Sequence, residues 1–71
     1  MSFDLKVFGD KLARYRVQFA VSVSDVELET GIPKSTLTNY ENGTLEPTGD
    51  HVLILADYFK CDFKFFISNE K

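Results

Sequence analysis

Leu5, Phe8, Leu12, Tyr15 and Phe19 recur at steps of three and four residues, the spacing that brings side chains onto one face of an α-helix. This pattern predicts an amphipathic helix over residues 4–18. Gly9 lies inside it, where glycine costs roughly 1 kcal/mol relative to alanine, so its presence predicts close packing against a neighbouring helix. Ser22 offers a hydroxyl acceptor three residues before Asp25, an approximate capping box that opens a second helix over 23–29. Gly31 supplies a positive φ after that helix, and Pro33 a fixed φ before the next. Leu37 and Tyr40 then share one face of a third helix over 34–41, which stops at Asn42-Gly43. Residues 44–48, with Pro47, read as loop. Val52, Leu55, Ala56 and Phe59 turn inward from a fourth helix over 50–59, and a turn at Lys60-Cys61-Asp62 leads into a fifth over 62–67. The expected fold is an all-α, compact five-helix bundle forming a single domain over residues 1–71, with no strand.

Composition narrows the chemistry. A chain of 71 residues buries only about 60% of its unfolded surface, but 44% hydrophobic residues, with seven Phe and three Tyr, suffice for a core. The lone cysteine, Cys61, excludes an intramolecular disulfide and a cysteine-rich zinc site, and fits a reducing cytoplasm. No apolar run approaches the ~20 residues that span a bilayer, and residues 1–7 do not resemble a signal peptide. His51 has no second His or Cys to complete a metal set. Ser22, Ser24, Ser35 and Thr36 have no histidine in a plausible triad, and Cys61 sits in a turn without a nearby base. No catalytic residue, metal or cofactor is therefore expected.

Charge cuts against a simple reading. The net charge is −3 and the isoelectric point about 4.9. Between Ser22 and Asp50 the one cation is Lys34, against Asp25, Glu27, Glu29, Glu41, Glu46 and Asp50. The third helix nevertheless leaves Lys34, Ser35, Thr38 and Asn39 on the face opposite Leu37 and Tyr40. Short hydrogen-bonding side chains on an exposed helix face suit base edges in the major groove of DNA; the bland alternative is a solvated helix.

Several words in the chain carry a resemblance: Gly9 and Leu12, Arg16, Ser22, Val26, Thr30-Gly31-Ile32, Ser35-Thr36-Leu37, Tyr40-Glu41-Asn42-Gly43, Pro47, Leu55-Ala56 and Phe66. Together they resemble the Cro and lambda-repressor type of helix-turn-helix domain, also called the xenobiotic-response-element family, from about Phe8 to Ile67. The resemblance implies a bacterial or phage transcriptional regulator, a repressor, bound to double-stranded operator DNA with the third helix as recognition helix. It implies base contacts from Lys34, Ser35 and Asn39, with Thr38 beside them, and backbone contacts from Ser22 and Asn42. It also implies a structural ion pair between Arg16 and Glu41, joining the first helix to the end of the third.

Three positions depart from the family pattern. Val23 replaces the usual glutamine at the start of the second helix, Glu27 replaces a small alanine and so is expected to alter packing of the second helix on the third, and Thr44-Leu45-Glu46 supplies no cation to the loop. Since each neutralised phosphate contributes about 0.9 to the salt slope, a monomer is expected to bind weakly. The aromatic end, Phe63, Phe65, Phe66 and Ile67, reads as a dimer or domain interface, with Phe65 the residue least coverable by its own bundle. A two-fold dimer through the last helix would set recognition helices about 34 Å apart. Two rival readings remain: a protein-interaction module that keeps the fold, and the N-terminal module of a longer protein such as a repressor-cleaving metallopeptidase.

Overall fold

The computed structural model describes residues 4–67, and among them the chain forms five α-helices and no strand. They are α1 (Leu5–Phe19), α2 (Val23–Thr30), α3 (Lys34–Asn42), α4 (Gly49–Tyr58) and α5 (Phe63–Ile67). Each boundary has a local cause. The Asp4 carboxylate accepts hydrogen bonds from the Lys6 and Val7 amides and starts α1. Ser22 and Asp25 form a reciprocal capping box at α2, at 3.0 Å in both directions. Gly31 and Gly43 stop α2 and α3 in the left-handed region, with φ of 81° and 73°. The Thr48 hydroxyl accepts the His51 amide to open α4.

The helices bury one core: Phe8 and Leu12 of α1, Val26 of α2, Ile32 of the turn, Leu37 and Tyr40 of α3, Val52, Leu55 and Ala56 of α4, then Phe59 and Phe66. Rings interlock within it. Phe8 meets Tyr40 edge-on at 5.7 Å and Phe66 at 5.4 Å, and Tyr15 stacks on Phe59 at 5.5 Å. Such contacts hold α1 against α3 on one side and α5 on the other.

Gly9 shows how closely α1 and α3 approach. A methyl group there would collide with the Tyr40 carbonyl oxygen and lie 2.8 Å from that of Glu41. Both obstacles are backbone, so neither swings aside.

One sequence expectation changes. Phe66 does not belong to any partner surface: it is fully buried among Phe8 and Tyr15, because the short α5 must cover the bottom of the core with its one inward aromatic. Phe63 and Phe65 stay exposed, and the Ile67 side chain lies outside the described residues. Lys11 is buried as well. Its ammonium donates to the Phe65 carbonyl oxygen and sits 4.3 Å from the centre of the Phe65 ring, tying α1 to α5.

Candidate nucleic-acid interface

α3 is held by its buried side. Leu37 and Tyr40 are in the core, which turns Lys34, Ser35, Thr38 and Asn39 together to the outside, all four exposed. Pro33 precedes the helix with no side-chain acceptor, so the first amides of α3 are uncapped. At the other end Asn42 is also exposed, and the Asn39 carbonyl accepts from both the amide and the hydroxyl of Thr44, fixing the exit of the chain.

Arg16 and Glu41 meet in a two-pronged pair. Arg16 Nε donates to Glu41 Oε2 at 2.6 Å and one terminal nitrogen donates to Oε1 at 3.0 Å; the other nitrogen reaches the Val21 carbonyl at 3.2 Å. The carboxylate beside it holds the Arg16 guanidinium charged even more firmly than usual. The pair therefore pins the C-terminal end of α3 to α1 and to the start of the α1–α2 turn.

Ser22 is exposed at the start of α2, but its surroundings are already committed. Its hydroxyl oxygen accepts the Asp25 amide, and its own amide donates to the Asp25 carboxylate. That carboxylate occupies the end of α2 that would otherwise favour an anion, which leaves the Ser22 hydroxyl hydrogen as the group to offer a phosphate.

Glu27 lies on the outer side of α2: it is exposed, while Val26 of α2, Ile32 of the turn and Leu37 of α3 are buried in the common core. With Asp25 and Glu29, also exposed, it leaves α2 with an acidic outer face.

One polar contact has no sequence signal. The Tyr40 hydroxyl and His51 Nδ1 lie 2.6 Å apart, a hydrogen bond linking α3 to the first turn of α4. Burial raises the Tyr40 phenol pKa above its ordinary 10.0. The two residues come from different helices, and neither periodicity nor a local motif pairs them. Among the described residues no group of His, Cys, Asp and Glu is arranged to hold a metal, and no helix is long and apolar enough to cross a membrane.

No curated protein matches the sequence. Among solved structures, the chain is similar to an HTH_3 family transcriptional regulator from Vibrio cholerae, with a TM-score of 0.83 at 22% identity, covering 94% of this chain and 38% of that one. It is also similar to the BldD DNA-binding domain of S. venezulae, with a TM-score of 0.79 at 24% identity, covering 92% of this chain and 97% of that domain. At these identities the likeness speaks for the fold, and the chain spans well under half of the Vibrio protein. The helix-turn-helix family model matches residues 12–66, which runs from Leu12 of α1 through the buried Phe66 of α5. The chain thus belongs to the helix-turn-helix family, of the xenobiotic-response-element type.

Proposed function

We propose that the protein is a sequence-specific DNA-binding transcriptional regulator, acting as a repressor in the cytoplasm by occupying an operator. The observation that carries the reading is the division of α3: Leu37 and Tyr40 anchor it, while Lys34, Ser35, Thr38 and Asn39 form one uncommitted polar face. In the major groove the Asn39 amide pairs with adenine and the Lys34 ammonium donates to guanine, each good pair discriminating by roughly 1–3 kcal/mol. Ser35 and Thr38 add hydroxyls, and Ser22 and Asn42 contact the backbone on either side. The names of the two similar structures, a transcriptional regulator and a DNA-binding domain, support the same reading.

The acidic face of α2 and the lack of loop cations favour binding by two copies. Phe63 and Phe65 of α5, 39% and 46% exposed, are the surface for a second copy, which would double the phosphate contacts on a palindromic site. Sedimentation across a concentration series, with and without Phe65→Ala, measures this; an unchanged monomer at all concentrations removes the dimer.

A fluorescence-anisotropy titration at low salt tests the main reading. Binding of a random-sequence duplex is expected with dissociation constants on the order of 1–100 μM, and tighter binding to duplexes enriched by selection. Replacing Lys34 or Asn39 by Ala should flatten base preference without shifting the unfolding midpoint. No binding in that range, with a protein partner recovered instead, would overturn the regulator in favour of an interaction module.

A further inference from the structure

The connection after α3 carries Thr44-Leu45-Glu46 and so has no cation to set against a phosphate. The fold brings one to the same place from a distant part of the chain. A methyl group on Gly43, the residue that ends α3, would lie 3.5 Å from both Cα and Cγ of Lys6 and 3.6 Å from its backbone nitrogen. The first turn of α1 thus rests against the end of α3, directly after Asn42. We infer that Lys6 supplies the phosphate-binding cation that the α3–α4 connection lacks, an inference that rests on the DNA-binding reading above.

Three observations support it. Lys6 is exposed, and among the described residues its ammonium has no ion pair, while its backbone amide donates to the Asp4 carboxylate. Its placement is rigid. Lys6 and Gly9 are three residues apart on one face of α1, and Gly9 is set directly against the Tyr40 and Glu41 carbonyls, so the backbone of Lys6 is fixed relative to the recognition helix. The nearby acids compete poorly: the Asp4 carboxylate is spent on the Lys6 and Val7 amides, and Asp10, one turn further on, stands in the less favourable order after the lysine. A lysine on a helix also needs no loop to be ordered when it meets the backbone, and its flexible four-carbon stem suits a point contact with phosphate.

The test is the salt dependence of duplex binding, measured by anisotropy between about 50 and 200 mM salt for the wild-type chain and Lys6→Gln. The plot of log affinity against log salt should be shallower for Lys6→Gln by about 0.9, the contribution of one phosphate. The ratio of affinities for selected and scrambled duplexes, and the unfolding midpoint, should stay as in the wild type. Lys6→Arg should keep the wild-type slope, and Lys6→Gln combined with Thr44→Lys should restore it by returning a cation to the loop. A wild-type chain that binds while Lys6→Gln keeps its full slope overturns the inference and leaves the regulator standing. A wild-type chain that binds no duplex overturns both.

Discussion

Arg16 and Glu41, far apart in sequence, meet in space and tie α1 to the end of α3. Twenty-five positions apart, they form a two-pronged contact with side chains only 23% and 14% exposed. Such burial puts the pair between exposed ion pairs, worth up to about 1 kcal/mol, and buried ones, whose disruption costs about 3–5 kcal/mol. Arg16→Ala should therefore destabilise by about 2 kcal/mol, since it strands the carboxylate and frees the Val21 carbonyl. For a domain of this size that is a fall of roughly 8–16 °C in melting temperature, readable by circular dichroism. Arg16→Lys should recover only part of it, because an ammonium cannot span both carboxylate oxygens. No local pattern in the sequence joins these residues; only the resemblance to known regulators did. Tyr40 and His51 had no such guide, and their hydrogen bond emerged only when α3 and α4 were packed.

At the scale of the element, the helices were legible because each carries its own instructions. Apolar steps of three and four drew α1, Ser22 with Asp25 opened α2, and Gly31 and Gly43 closed α2 and α3, so the ends fall within a residue or so of those the spacing predicts. What the pattern misjudged was depth. Phe19, spaced to face inward, is 43% exposed with its ring edge-on to Phe59, because α1 runs past the end of the core. Lys11 is buried because its ammonium meets both a carbonyl and an aromatic face on α5, partners that lie more than fifty residues away. Gly9 makes the element-scale test. By helix propensity alone, Gly9→Ala should stabilise by about 1 kcal/mol. The Tyr40 and Glu41 carbonyls leave no room for a methyl, so a net loss of about 2 kcal/mol is expected in urea unfolding, from forced separation of α1 and α3. A gain would mean the two helices are free to part.

Across the whole molecule, burial of Tyr15, Tyr40 and Cys61 acts on stability at alkaline pH. Burial raises the Tyr15 and Tyr40 phenols above 10.0 and the Cys61 thiol above 9.0, and the Cys61 thiol further raises Tyr15 through their hydrogen bond. The unfolded chain therefore releases these protons first. Their stabilising contribution is complete below about pH 9 and is lost as pH rises through 9 and 10 toward the folded values. Urea midpoints should be level between pH 7 and 8 and fall by pH 10, with a smaller fall in Tyr15→Phe; a midpoint constant to pH 10 would contradict the burial of these groups. Local patterns along the chain encode the five helices, their caps, the turn between α2 and α3 and the polar face of α3, because hydrophobic spacing and capping act over a few neighbouring residues. Tertiary packing decided how deep the aromatics sit, burying Phe66 fully and leaving Phe19 partly outside the core. It also decided that Lys11 is buried, that Tyr40 meets His51, and that Lys6 stands beside the end of α3. These contacts join residues distant along the chain, so their partners exist only once the helices have met, and no local pattern encodes them.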